Sequence, residues 1–483
     1  MSRKNEIFPR TDVGNAELFA HLYKDCLRYD HTHKRWLLWQ GHWWAEDVDG
    51  KVHRMAKEAA RTRLVYAANI STAEEYMKKE TKWAIDSESR PRLEAALKLA
   101  QSEKPLADTG IDWDSDPWLL GVANGVIELR TGKLREGRPS DKITLHTDIP
   151  FDPQAQCPRW SQFLEEIFGG DRELVAFVQR AVGYCLTGRT EEQCLFLCYG
   201  VGANGKSTLL KVLRYVLGDY AYNLPFSAFE LKARSSIPND IAALAGRRFV
   251  TAIETNESAQ LNEGRIKALT GCDPVTARFL YREFFTFLPL AKFWLAFNHK
   301  PQVVDDSHGF WRRIRLMPFL KEFNEEAADQ ALEPKLQREG QGILAWAVRG
   351  CLEWQEKGLG MPAVVREATQ AYRKENDPLD DFITERCIVD PSVWTTASAI
   401  WKDYKHWAVQ SGENKPIDRR AFSRLLQARG FKKRRYGHER TWTWFGISLK
   451  PDLLDTRPQS GAVMRTDADV KSHIVVNPLV STN

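Results

Sequence analysis

The residues best suited to chemistry lie in one run, GVGANGKST, from Gly200 to Thr208. It satisfies G-x-x-x-x-G-K-[ST] through Gly200, Gly205, Lys206 and Ser207. Glycines let backbone N–H groups curl around phosphate oxygens without a Cβ in the way. Lys206 is placed to reach the β- and γ-phosphates, and the Ser207 hydroxyl suits Mg²⁺. The ligands expected are therefore ATP and Mg²⁺. The ATP would be held by Gly200, Gly202, Ala203, Asn204, Gly205, Lys206, Ser207 and Thr208.

A nucleotide-hydrolysing site also needs a carboxylate at the end of a neighbouring strand. RFVTAIET reads as such a strand and supplies Glu254, with Glu257 and Glu263 as weaker candidates. Glu254 is expected to polarise the attacking water and, with Ser207, to hold the metal. The residue before it is Ile253, not an Asp, so metal binding rests on Glu254 and Ser207. A third strand, Lys292 to Phe297, ends at Asn298, whose amide suits a γ-phosphate or water. Beyond it, GFWRRIRLMPF carries Arg312, Arg313 and Arg315. A guanidinium from a neighbouring subunit would stabilise charge developing on the transferred phosphoryl group. Arg312 and Arg313 are the candidates for it.

Elements with the right periods surround these residues. An apolar strand, Cys194 to Tyr199, leads into the glycine-rich loop, and a helical run from Thr208 to Leu217 leads out. From Gln193 to Phe319 apolar strands alternate with helices, the pattern of an α/β sheet. Upstream, Asn15 to Tyr29 has helical spacing, and RWLLWQGHWWAED reads as a hairpin turning near Gln40-Gly41. Helices are expected from near Val52 and from near Ser71, where Ser71 and Glu74 fit a capping box. A hairpin is expected around Thr131-Gly132, then helices over 155–190 separated at Gly169-Gly170. Residues 325–375 are again helical.

Length and composition bound the reading. A chain of 483 residues exceeds what one core usually supports. It has 43% hydrophobic and 28% charged residues, ordinary for a globular protein. No apolar run approaches the roughly 18 residues of a membrane span. No signal core follows Met1, so a cytoplasmic protein with no membrane partner is expected. The eight cysteines are scattered and form no C-x-x-C pair, and Cys194 and Cys198 read as buried structural thiols. Asp112, Asp114 and Asp116 lack the Gly and Glu of a calcium loop and read as a turn.

Charge is concentrated at one end. Between Lys415 and Lys450 stand eleven basic residues against Asp418 and Glu439, a local +9 in a chain whose net charge is +5. Helix, helix and two strands are expected there, with Arg419, Arg420 and Arg424 off the apolar face of the second helix. Lys432, Lys433, Arg434 and Arg435 fall in the first strand. Such a basic surface suits DNA phosphates. Trp442 and Trp444 are expected in the core.

Taken in order, these motifs resemble the superfamily 3 helicases, and more closely the helicase part of the phage, plasmid and poxvirus primase-helicase family. The resemblance rests on GVGANGKST, AIETNE, KALTGCDPVTARFLYREFFTF, KFWLAFNHKPQV and GFWRRIRLMPF, with DWDSDPWLLGVANGVIEL upstream and GILAWAVRGCLEW downstream. It implies an AAA+-like P-loop ATPase core with a helical collar, a helical lid and a C-terminal winged-helix module. It also implies a β-hairpin lining a central pore, with Lys267 and Arg278 before it and Tyr281 and Arg282 near its tip touching DNA.

The domains expected are an N-terminal α+β domain (1–110), a collar region (111–190), the ATPase (191–325), the lid (326–376), the winged helix (377–449) and a disordered tail (450–483). The function implied is an ATP-dependent replicative DNA helicase of a phage, plasmid or mobile element. It would assemble as a ring, a hexamer as in that family, and act on single-stranded and forked DNA, with a primase or other replication protein as a further partner. Two alternatives remain: an ATP-binding origin-recognition or ring-assembly protein, and a primase-helicase with primer synthesis in the N-terminal region. No primase carboxylate pattern precedes Asp112. A metabolic P-loop kinase would leave the basic module unexplained.

Overall fold

The computed structural model describes residues 8–70, 73–231, 239–254, 259–278, 284–303, 307–323, 329–377, 379–411 and 417–451. The chain divides into two compact units, Met1–Asn376 and Asp377–Asn483.

The first unit opens with α1 (Asp12–Tyr23), whose N-terminal amides are capped by Thr11. The helix stops six residues short of the expected end. Leu27–Asp30 instead forms β1, which pairs antiparallel with β2 (Arg35–Trp39), Leu27 opposite Leu38. The apolar spacing that suggested a helix there is spent on burying Leu27 and Tyr29 as a strand. β3 (Trp44–Glu46) completes the expected hairpin. Then come α2 (Lys51–Ile70), α3 (Glu74–Ser87), α4 (Arg90–Ala100) and β4 (Ala107–Asp108). Glu74 opens α3 as its first residue behind Ala73, whose side chain makes no cap bond. The capping box fails on this placement, and Ser71 lies outside the described residues.

A second sheet, in the order β7-β6-β5-β8, is built from β5 (Leu119–Val122), β6 (Gly125–Glu128), β7 (Lys133–Arg135) and β8 (His146–Thr147). Asp114 accepts hydrogen bonds from the backbone N–H groups of Thr144 and Leu145 and from the Thr144 hydroxyl. The aspartate-rich segment is thus a turn. Trp43 stacks on His146 at 4.0 Å between ring centroids, joining the two sheets.

Helices α5 (Pro158–Ile167) and α6 (Arg172–Leu186) carry apolar faces, including Trp160, Phe163, Leu164, Phe177 and Val178, into the largest core. They cover one face of a five-stranded sheet ordered β10-β11-β14-β9-β15. Its strands are β9 (Leu195–Tyr199), β10 (Ala221–Asn223), β11 (Phe249–Ile253), β14 (Lys292–Phe297) and β15 (Ile314–Pro318), every pair parallel. Parallel strands buried on both faces read as continuous apolar runs, and β14 is buried at all six positions. Between the strands lie α7 (Lys206–Leu217), α8 (Asn239–Ala242), α9 (Glu263–Thr270), the hairpin β12 (Val275–Ala277) and β13 (Phe285–Phe287), and α10 (His308–Trp311). Cys194 and Cys198 are core residues, and burial raises each thiol to about 12.

Two buried cations join α6 to this sheet. Arg248, just before β11, donates to the Leu186 carbonyl at 2.5 Å. Lys292, the first residue of β14, donates to the Thr187 carbonyl and, at 2.9 Å, to that of Leu290. Positive charge suits a helix C-terminus, where carbonyls lack intrahelical partners. Dehydration lowers the Lys292 ammonium to about 7. The unit closes with α11 (Leu332–Arg338), α12 (Gly340–Lys357) and α13 (Ala363–Glu375).

The second unit contains α14 (Asp380–Arg386), β16 (Cys387–Thr396), α15 (Ala397–Gln410), α16 (Arg419–Ala428), β17 (Lys432–Tyr436) and β18 (Thr441–Leu449). Asp418 caps α16 by accepting from the amides of Arg420 and Ala421. The sheet order is β16-β18-β17, antiparallel throughout. Phe382, Ile400, Tyr404, Phe422, Leu426, Trp444 and Ile447 form its own core. Trp442, expected in that core, is 49% exposed at the start of β18. The core ends before it, and Lys433 and Arg435 lie over its ring.

Candidate nucleotide site

Register brings the candidate residues together. Ile253 on β11 pairs with Ala296 on β14, and Phe297 pairs with Tyr199 on β9. Glu254 is therefore level with Phe297, and Asn298 with Gly200, so the three fall within one residue of each other at the carboxyl edge of the sheet. Hydrogen bonds fix the alignment: Glu254 N–H donates to the Ala296 carbonyl at 2.8 Å, and Gly200 N–H to that of Phe297 at 3.4 Å. Ligands of open parallel sheets bind outside this edge.

The loop from Gly200 to Gly205 turns sharply. Ala203 and Gly205 have φ of 53° and 83°. A Cβ on Gly200 would stand 2.4 Å from the Phe319 carbonyl oxygen, and one on Gly205 would stand 2.5 Å from Ile167 Cγ2. Both positions therefore need glycine. The loop feeds the first turn of α7, where Gly205 is the cap, Ser207 is exposed and Thr208 half-buried. Unpaired amides at a helix start attract anions.

Lys206 is 5% exposed. Its ammonium donates to the Gly200 carbonyl at 2.5 Å and to Asn204 Oδ1 at 2.8 Å. Asn204 is in turn held by the carbonyls of Val201 and Phe319. Dehydration lowers Lys206 to about 8. Glu254 is affected in the opposite sense: burial raises its carboxyl to about 7, a nearby His299 amide only partly offsetting it. Both its oxygens are buried without a well-formed hydrogen bond. A carboxylate whose two oxygens are both shielded from water, beside amides arranged for an anion, suits Mg²⁺ with phosphate. Asn298 is exposed.

The arginines lie elsewhere. Ile314 pairs with Leu195, the first residue of β9, so Arg312 and Arg313 stand at the amino edge of the sheet. Five residues of strand separate them from the Gly200 loop, roughly 17 Å. Arg312 is exposed and donates to Gln193 Oε1. Arg313 is 8% exposed, with Nε donating to Thr270 Oγ1 at 3.1 Å and Nη1 to the Gly309 carbonyl. The two candidates are thus unlike: one faces outward and the other braces α9 against α10.

Of the expected DNA-contacting residues, Lys267 lies in the last turn of α9, its ammonium 3.2 Å from Ser307 Oγ. Arg278 follows β12 and stacks over Phe284 at 4.7 Å. The hairpin the resemblance implied is present, but Tyr281, Arg282 and Glu257 lie outside the described residues. In the second unit Arg419, Arg420, Arg424, Lys432, Arg434 and Arg435 are exposed and Lys433 is half-buried. Sequence reasoning missed Trp394, Tyr436 and Phe445, which make an aromatic cluster on the other side of that sheet. Strand alternation of Phe445 against Trp444 was the available signal.

Together these features define an α/β fold with an anion-shaped loop at the carboxyl edge of a parallel sheet. A family described as "D5 N terminal like" matches residues 16–169, and one described as a "family of unknown function (DUF5906)" matches residues 198–313. A provisionally named helicase of Acanthamoeba polyphaga mimivirus is 31% identical over 293 residues, covering 56% of this chain and 30% of that protein. A provisionally named primase of African swine fever virus (isolate Tick/Malawi/Lil 20-1/1983) is 28% identical, covering 61% of this chain and 33% of that one. A provisionally named helicase of Frog virus 3 is 24% identical, covering 61% and 39%. The apo structure of the NrS-1 C terminal region (305–718) superposes with TM-score 0.48 at 10% identity, covering 90% of this chain and 99% of that one. The matched family models and the viral relatives support a place in the phage and viral primase-helicase family. The chain spans about a third of the length of the curated relatives it matches. Among the described residues, no helix is long and apolar enough to cross a membrane.

Proposed function

We propose that this chain is the motor of a replicative DNA helicase, hydrolysing ATP between the subunits of a ring. The observation that carries the reading is the division of candidate residues between the two edges of one sheet. Gly200, Lys206, Glu254 and Asn298 meet at the carboxyl edge. Arg312 faces outward at the amino edge, roughly 17 Å away. A guanidinium so placed serves a neighbour's nucleotide and not its own.

The loop amides from Gly200 to Gly205, the start of α7 and Lys206 hold the phosphates of ATP. Ser207 and Glu254 would hold Mg²⁺, which supplies neutralisation of phosphate charge when bound. Glu254, with its carboxyl near neutrality, orients the attacking water and accepts its proton. Asn298 hydrogen-bonds the same water or the γ-phosphate. Arg312 of the adjacent subunit stabilises the departing phosphoryl group, and Arg313 positions the segment that carries it.

In this reading 191–325 is an AAA+-like ATPase domain. Residues 111–190 are its collar, 326–376 its lid and 377–449 a winged helix, with 1–110 a separate N-terminal module. The tail, 450–483, lies almost wholly outside the described residues. Lys267 precedes a pore hairpin and Arg278 lies on the tip side of its first strand, while Tyr281 and Arg282 near its tip contact the DNA strand. The basic surface around α16 and β17 holds DNA phosphates. The ring is a hexamer acting on single-stranded and forked DNA beside a primase, in the cytoplasm of the host cell. The helicase and primase names of the viral relatives support this setting.

The test is strand separation on forked DNA with ATP and Mg²⁺, run beside Lys206→Ala. Unwinding by the parent chain alone supports the motor. DNA binding with no DNA-stimulated hydrolysis would replace it with an assembly protein that uses ATP only to close a ring.

A further inference from the structure

The β16-β18-β17 sheet has one face on the core of the second unit, and its other face carries partly exposed aromatic side chains. Residues directly opposite across a sheet share a face, and neighbours along a strand alternate. Trp444 is fully buried in the core. Phe445, the next residue, therefore points to the outer face, as do its cross-strand partners Trp394 on β16 and Lys432 on β17. Alternation along β17 puts Arg434 and Tyr436 there as well.

The rings form a cluster across all three strands. Tyr436 lies 5.4 Å from Trp394 and 5.4 Å from Phe445 between centroids, and the Arg434 guanidinium sits 4.0 Å over Phe445. Trp394 is 41% and Tyr436 50% exposed. Large aromatic rings cost free energy in water and ordinarily avoid clustering on a free surface. Interleaving with cations is unfavourable for an apolar protein partner. It suits a polyanion that carries flat rings of its own.

We infer that this face is a stacking platform for single-stranded DNA, with bases on Tyr436 and Trp394 and phosphates on Lys432 and Arg434. The local +9 charge between Lys415 and Lys450 supplies the complementarity. Duplex DNA presents phosphates but keeps its base faces stacked inside, so the aromatic part of the platform is silent towards it. This deepens the reading of the chain as a DNA motor: one end would select strand that is already unpaired. The DNA ligand class rests on that reading, but the binding needs no ATP turnover.

The experiment uses the full chain, a fluorescein-labelled oligothymidylate and a blunt duplex of equal length, in EDTA without nucleotide. Trp394→Ala/Tyr436→Ala is expected to bind the single strand about tenfold or more weakly, with an unchanged salt slope. Duplex affinity should stay within about twofold, and Trp394→Phe/Tyr436→Phe should restore single-strand binding. Arg434→Ala should shallow the single-strand salt slope by about 0.7. Unchanged single-strand binding in the alanine pair, or an equal loss for duplex, would overturn the platform. Lys206→Ala should bind both probes like the parent, so a failed motor and a failed platform give different results.

Discussion

The Lys206 ammonium donates to Asn204 Oδ1 at 2.8 Å, so the loop holds its own cation through a side chain two residues away. A phosphate entering the loop takes over a charge that is already dehydrated and lowered to about 8. ATP binding should therefore raise that pKa and draw in a proton between about pH 8 and 10. Calorimetry near pH 8.5 in two buffers of different ionisation enthalpy reads the uptake directly. Lys206→Ala should abolish hydrolysis and this uptake together. An equal uptake in the variant would place the proton elsewhere.

Glu254 offers a second pH signature. Burial disfavours its charge and raises the folded carboxyl to about 7, from the 4.5 of an ordinary glutamate. Between those values the unfolded chain has released a proton that the folded chain keeps, so stability falls as pH rises from about 4.5 to 7 and stays lower above. Glu254→Gln removes that loss. Its Tm advantage should be small at pH 5, grow to pH 7.5 and then level off. It should also retain ATP while losing turnover. Melting curves that run parallel at every pH would contradict the burial argument.

The paired arginines separate by readout. Arg312→Ala is expected to bind ATP normally and hydrolyse it at most at a few per cent of the parent rate. Mixing it with Glu254→Gln subunits should restore activity, since some interfaces then carry both intact groups. Arg313→Ala removes the bonds to Thr270 and Gly309 and should cost about 1–3 kcal/mol of stability. If mixing rescues Arg313→Ala and leaves Arg312→Ala inactive, their roles are exchanged.

Gly205→Ala tests the loop itself. The added Cβ meets Ile167 Cγ2 at 2.5 Å, on a backbone with φ of 83°. It should lower stability by about 1–3 kcal/mol and ATP affinity with it. The exposed Gly202 has nothing within 4 Å of its would-be Cβ, so Gly202→Ala should leave stability nearly unchanged. Equal Tm losses for the two substitutions would refute the clash.

The sheet and its loop were legible because parallel strands and a glycine-rich turn leave local patterns. The β14 bounds from Lys292 to Phe297 and the break at Gly169-Gly170 were read directly. What failed depended on distant partners. Leu27–Asp30 has helical spacing but becomes a strand because β2 lies beside it. β16 spans Asp390-Pro391-Ser392, turn residues that hide a ten-residue strand. RRIR cannot reveal which arginine turns inward, since that depends on Thr270, 43 residues away. Trp442 and Trp444 share a strand face, yet only the second lies above α15 and α16, where the core is.

Arg248 and Lys292 reach the end of α6 through carbonyl oxygens alone. Such contacts add little net stability, since dehydrating two cations is costly. Their effect lies in what they forbid. If α6 slid by one turn, about 5.4 Å, Arg248 would lose the Leu186 carbonyl and Lys292 that of Thr187, with both cations still buried. The pair acts as a key that admits one alignment between helix and sheet, so a push on the sheet reaches α6 without slippage.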